Sequence, residues 1–365
     1  MKQGTALRLL AAAMNWSNEK ARTEFAYLYL MAALKYDDYR DFLAGMRFLE
    51  SLAAWLQQFD QKDRETAYNF VRNRLIYISA AERERLVSLL YSREIYPRLL
   101  KAAAARTGND SWFVLAKKEA RDELDRQRRA TLFLGLSDGA RLDNFRHMNP
   151  ELSNEQVVVG VQLGRDKWKG LKKDLVADLN DKDARFERVV LVDDFTASGT
   201  SFIRKEGNEW KGKLPRFYSS VCKDAAELLA PAHELIVHHH LGTAQANAHL
   251  RAMVPDYLSE MSGDLDVPPG SHSITFGHCY RHDVVVEDAD FLDLAERHFN
   301  SSLITKHTSK GGSDRLWLGY AECRLPIVLD HNTPNNSFPL LWAMTAGGDK
   351  GVAMHPLFRR RQRHS

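Results

Sequence analysis

The sequence is poor in several features that would narrow its function at once. Of its 365 residues only three are cysteine (Cys222, Cys279 and Cys323), far apart and odd in number. That spacing gives no disulfide framework and no zinc pattern, so a reducing cytoplasm is the expected location. No apolar run approaches the roughly 18 residues of a membrane span, so no membrane contact is expected. The short apolar patch in MKQGTALRLLAAAMNWSNEK is interrupted by Arg8 and runs into helical pattern, which argues against a signal peptide. Formal net charge is +3, too small to imply nucleic acid by itself. The sequence does carry core-forming residues: 44% are hydrophobic and 10% aromatic, a composition that folds. A chain of 365 residues predicts more than one domain.

Glycine and proline are scarce up to about residue 128. There, SNEKARTEFAYLYLMAALKY, YRDFLAGMRFLESLAAWLQQF and KDRETAYNFVRNRLIYI place apolar residues three and four apart, as helices do. SAAERERLVSLLYS opens with Ser79 and has Glu82 three residues later, the pattern of a capping box. Thr107–Asp110 (TGND) breaks the pattern before a last helix ending near Arg129. Residues 1–128 are therefore expected to form an all-helical N-terminal domain, and no internal repeat is present.

Beyond Arg129, β-rich runs alternate with longer connections: TLFLGL (131–136), QVVVGV (156–161), RVVLVD (188–193) and ELIVHHH (234–240). This alternation predicts an α/β domain with a parallel sheet over residues 129–350. SITFGH, HDVVVED and CRLPIVLD are further β-like runs, and HNTPNNSFPLLWA (331–343) reads as a loop entering a short apolar element. Residues 351–365 read as a basic C-terminal tail.

One stretch carries most of the functional signal, ERVVLVDDFTASGTS (187–201). Val189–Val192 suit a strand buried on both faces, which puts Asp193 and Asp194 at its C-terminal end, where ligands bind in open α/β sheets. The following loop, Phe195–Ser201, is small and hydroxyl-rich. It lets backbone approach an anion, and a helix beginning near Thr200 would aim its free N–H groups at the same point. Two acceptors beside an anion cradle match a ribose 5-phosphate, with vicinal hydroxyls to donate and a phosphate to accept.

The stretch resembles the signature of type I phosphoribosyltransferases. The resemblance implies a parallel sheet of that type, preceded here by the all-α N-terminal domain, with a smaller hood from residues 265–345. It also implies that Asp193 and Asp194 hold the ribose hydroxyls of phosphoribosyl pyrophosphate or a related nucleotide, and that Thr196, Ala197, Ser198, Gly199, Thr200 and Ser201 bind its 5′-phosphate. Mg²⁺ is the expected cofactor, held by ligand phosphates with Asp193 and Asp194. GLSDGARLDNFRH stands where the family has its pyrophosphate loop, with Gly139 for backbone approach and Arg141 for charge, although the adjacent glycines common there are missing. GRDKWKGLKKDL (164–175) stands where the family has a mobile basic loop, so Arg165, Lys167, Lys169, Lys172 and Lys173 would close over the leaving pyrophosphate. Asn335 and Asn336 are candidates for a substrate-facing loop.

A second resemblance spans more of the chain. The helical region, the 193–201 loop, HNTPNNSFPLLW and the terminal PLFRRR together look like phosphoribosyltransferase-like effectors of bacterial conflict systems, some of them retron-associated. It implies antiphage defence beside a reverse transcriptase with its multicopy DNA and a DNA-binding partner.

Plainer readings stand beside these. The acidic strand end is also compatible with an ordinary strand–turn–helix or a response-regulator receiver, and the basic run with a solvated helix face. Asn335 and Asn336 are equally suited to making turns, and Trp342 suits the core. His238, His239 and His240 cannot all reach one metal ion, because neighbours on a strand point to opposite faces. At the level of function, a nucleotide-binding sensor without turnover and a nucleic-acid-associated scaffold remain alternatives to a magnesium-dependent enzyme.

Overall fold

The computed structural model describes residues 3–160, 164–221, 225–305 and 308–360. The chain forms two compact units, residues 84–281 and a discontinuous one made of residues 1–83 with 282–365.

Residues 84–281 hold a five-stranded sheet of β1 (Thr131–Gly135), β2 (Val157–Val159), β3 (Phe186–Thr196), β4 (Leu229–Thr243) and β5 (Ser271–Tyr280). All strands are parallel, in the order β2-β1-β3-β4-β5. This is the α/β parallel sheet expected from the sequence. The order reverses between β1 and β3, so a crevice opens beyond the C-terminal ends of those two strands.

A parallel sheet has no solvent face, so both sides need apolar cover. Along β3 the side chains alternate. Val189 and Leu191 join a core with Trp168, Leu171 and Leu175 of helix Arg165–Leu179, Phe217 of helix Lys213–Val221, and Leu250 of helix Ala244–Glu260. Val190 and Val192 point the other way, into a core with Leu99 and Ala103 of helix Tyr96–Thr107 and Leu124 of helix Lys118–Arg129. Burying each such Val or Leu contributes about 1.5–3 kcal/mol.

This packing redraws the expected boundary at residue 128. The helices over 84–129, read as part of a separate helical domain, cover one face of the sheet and belong to the same compact unit. Helical periodicity reveals that a helix has a buried face, not which element buries it.

The other unit packs helices Gln3–Met14, Asn18–Leu34, Phe48–Gln57, Arg64–Asn73 and Ala289–Arg297 around one core. These N-terminal helices precede the sheet, as expected. The capping box forms: Glu82 Oε2 accepts from Ser79 N at 2.9 Å, and Ser79 Oγ accepts from Glu82 N at 3.3 Å. Three sequence readings change here. Leu75–Ile78 does not continue its helix; Ile76–Ile78 is a strand paired in parallel with Ile327–Leu329. HDVVVED is no strand but a short 3-10 turn, His282–Val284. The basic tail is not a loose end over its first part: Leu357 and Phe358 are fully buried, and the Phe358 ring stacks on Phe48 at 5.8 Å. Arg361 and Arg363 lie outside the described residues. The segment expected to form a hood at 265–345 is divided between the two units at residue 281.

Among the described residues no helix is long and apolar enough to cross a membrane.

Candidate functional site

The switch-point crevice is built from the chain leaving β1 and the chain leaving β3. Ser137 follows β1, and its hydroxyl donates to Asp193 Oδ1 at 2.6 Å and to Asp194 Oδ1 at 3.3 Å. Gly139 lies against Asp194 so closely that a Cβ there would sit 2.1 Å from Asp194 Oδ2. Any side chain at this position would displace the Asp194 carboxylate. Arg141 adopts the left-handed conformation (φ 51°, ψ 41°), uncommon for a residue with a side chain. Its Nε is buried without a hydrogen-bond partner. The loop is tied to β4, since His240 Nε2 donates to Ala140 O at 3.0 Å.

Asp193 is 2% exposed. Burial pushes its carboxyl up to about 6; Lys213 pulls against this and the charge of Asp194 adds to it. Lys213, the first residue of helix Lys213–Val221, forms an ion pair with Asp193 Oδ2. His239 is the register partner of Asp193 on β4 and is fully buried. Burial and the nearby Lys213 hold it neutral, down at about 3, and neither ring nitrogen has a hydrogen-bond partner among the described residues.

The 196–201 loop is compact and braced. Thr243 Oγ1 donates to Ala197 O at 2.6 Å, Ser198 Oγ and Thr200 Oγ1 are 2.9 Å apart, and His249 Nε2 donates to Ile203 O at 2.8 Å. Gly199 takes φ +79° with a Cβ position 2.7 Å from the His249 ring. Among the described residues, no backbone N–H of Ala197, Ser198, Gly199 or Ser201 donates to a backbone carbonyl. Thr196 Oγ1 is buried without a partner. The Thr200 N–H instead donates to Ser198 Oγ at 3.5 Å; a loop whose N–H groups are not spent on backbone carbonyls suits an anion.

The structure corrects several expectations. No helix starts near Thr200; a hairpin, Arg204–Glu206 with Glu209–Lys211, intervenes, and the helix begins at Lys213. The basic loop is instead helix Arg165–Leu179, with Trp168, Leu171 and Leu175 buried and Lys169 exposed on the opposite side. The spacing of those three apolar residues was the overlooked signal. Lys167 pairs with Glu155 at 3.6 Å and Lys172 donates to Ala184 O, so neither is held in reserve for a ligand. Asn335 and Asn336 belong to the other unit. Asn335 O accepts from Tyr320 N at 2.8 Å, and Asn336 Nδ2 donates to Tyr320 O at 3.1 Å, so both act in turns there. Trp342 is buried, with its Nε1 donating to Ser337 O at 2.9 Å. His238, His239 and His240 are all fully buried, and no group of three metal-ligating side chains occurs among the described residues. The residues that the sequence did not single out are Ser137 and Lys213.

Magnesium shared by Asp193 and Asp194 does not fit this donor set. Both Asp193 oxygens are already engaged, by Ser137 and by Lys213, and Ser137 also donates to Asp194 Oδ1 at 3.3 Å.

No curated protein and no solved structure matches the chain. The family model PRTase-CE matches residues 52–360, most of the chain and all of the site just described. The chain therefore belongs to the PRTase-CE family, the phosphoribosyltransferase-like effectors of conflict systems.

Proposed function

We propose that the crevice between β1 and β3 binds phosphoribosyl pyrophosphate or a closely related ribose phosphate or nucleotide. The observation that carries this is the end of β3, where the stretch holding Asp193 and Asp194 gives way after Thr196 to a small-residue loop in which, among the described residues, the N–H groups of Ala197, Ser198, Gly199 and Ser201 donate to no backbone carbonyl. Carboxylates accept from sugar hydroxyls, while the loop's N–H groups donate to the 5′-phosphate. Asp194, half-buried beside Gly139, is the better placed of the pair to reach a ligand.

In this reading the protein is an effector in antiphage defence. The retron setting, with a reverse transcriptase, multicopy DNA and a DNA-binding partner, is part of the proposal. Family membership supports the conflict-system role. The saturation of Asp193 favours a second reading of the same site, a ligand-sensing effector without turnover. Released pyrophosphate, measured on the purified protein, separates the two.

The test is thermal stability with phosphoribosyl pyrophosphate and magnesium, for the wild type and Asp194→Asn. A ligand that binds only the native state raises the melting temperature, by about 2.7 kcal/mol of stabilisation at a hundredfold excess over Kd. A shift in the wild type that is lost in Asp194→Asn supports the reading. An equal shift in both rejects this site.

A further inference from the structure

Lys213 is a charged group that the fold delivers to Asp193 from outside the two strand ends. Its position is constructed rather than incidental. Gly212 takes φ +125° with its Cβ position 2.3 Å from Phe202 O, so only glycine permits the approach. Lys213 N then donates to Ser201 O at 3.3 Å, and Leu214 N to Phe202 O at 3.1 Å. These bonds splice the start of helix Lys213–Val221 onto the end of the 196–201 loop. The hairpin between them, Arg204–Glu206 with Glu209–Lys211, takes up the intervening chain. One lysine thus touches Asp193 with its side chain and the small-residue loop with its backbone.

We propose that Lys213 does the work of a divalent cation here, so that the crevice binds a diphosphate-bearing ribose phosphate without requiring magnesium. The proposal rests on the ribose-phosphate reading of the site. A magnesium ion in such a site bridges carboxylate oxygens to ligand phosphates and neutralises their charge. The Lys213 ammonium already sits on Asp193 Oδ2, and an ammonium has three donors, of which the carboxylate uses one. Its side chain is 21% exposed while that of Asp193 is 2% exposed, so the cation is the open end of the pair. A divalent ion placed on the same carboxylate would meet that positive charge at close range. The surroundings suit a fixed cation. Ser137 holds the second oxygen of Asp193, which leaves Lys213 as the cation on the first.

The experiment is a thermal melt with phosphoribosyl pyrophosphate, run once in excess EDTA and once in millimolar magnesium. The wild type is expected to bind in both, with apparent affinities within about threefold. Lys213→Met is expected to bind at least tenfold more weakly in EDTA, with magnesium recovering part of the loss. Lys213→Arg, which keeps the positive charge, is expected to bind in EDTA within a few-fold of the wild type, and it stands in if the methionine variant does not fold. A wild-type shift that disappears in EDTA overturns the proposal and leaves the ribose-phosphate site intact. So does Lys213→Met binding as well as the wild type in EDTA. No wild-type shift under either condition overturns the ribose-phosphate reading, and this proposal with it.

Discussion

Two buried aspartates in this chain follow the apolar runs of parallel strands under similar local sequence, yet their carboxyls are shifted in opposite directions. Asp193 follows VVLV at the end of β3; Asp330 follows PIVL at the end of strand Ile327–Leu329 in the other unit. Both are essentially inaccessible, 2% and 0% exposed. Asp330 meets a guanidinium: Arg83 Nε and Nη2 donate to its two oxygens at 2.8 Å each, and His331 Nδ1 lies at 3.2 Å. Burial raises its carboxyl, but these bonds outweigh burial and bring it down to about 2. Asp193 meets a lysine, a hydroxyl and a second carboxylate, and burial wins. The difference separates an ion pair closed by a buried guanidinium from one whose cation is still partly exposed. The first is architecture; the second is a place where something else can be bound.

The largest test breaks the self-contained side of the comparison. Asp330→Asn strands a buried guanidinium and should cost about 3–5 kcal/mol in urea denaturation, whereas Arg83→Met with Asp330→Leu should recover much of the loss. A loss below about 1 kcal/mol would mean that the Arg83 pair is not the anchor described.

The next prediction sharpens the other side. Folded Asp193 titrates near 6, above the 3.8 of an ordinary aspartate, so the folded state holds the extra proton between those values. Its contribution therefore makes stability fall as pH rises from about 4 to 6 and level off above. Asp330 behaves oppositely: its contribution is present above about 4 and is lost as pH falls towards 2. The wild type minus Asp193→Asn difference, followed by denaturation across pH 4–8, should show the first slope. A flat difference would place Asp193 in an ordinary environment.

The smallest effect concerns how Arg83 is presented. Ser79 opens its helix, and Arg83 N donates to Ser79 O at 3.0 Å. Ser79→Ala removes the capping hydroxyl and should cost about 1 kcal/mol without altering any ligand response.

What the sequence offers as a candidate site, and what it leaves out, have identifiable physical reasons. Asp193, Asp194 and the loop to Ser201 were legible because strand, acidic end and small residues are contiguous. Ser137 and Lys213 were not, because their roles exist only through sheet order and through a hairpin that brings a residue 20 positions away back to Asp193. Lys169 was misjudged because charge density drew attention away from the Trp168, Leu171 and Leu175 stripe. Asn335 and Asn336 were drawn towards the ligand by residue type alone, while their own turn consumes the bonding of the segment.

The discontinuous unit has a consequence for synthesis. Phe48 and Tyr39 pack on Phe358, and Trp55 Nε1 donates to Leu340 O at 2.7 Å, so the first four helices, which also pack on one another, complete their core only with residues about 270 or more positions later. At roughly 5–20 residues per second, those helices wait some 15–60 s on the ribosome with apolar faces uncovered. Meanwhile residues 84–281 emerge as a complete, closable unit. The crevice can be built early, but the protein that carries it is finished late, and the nascent helices are the part that would call on a chaperone.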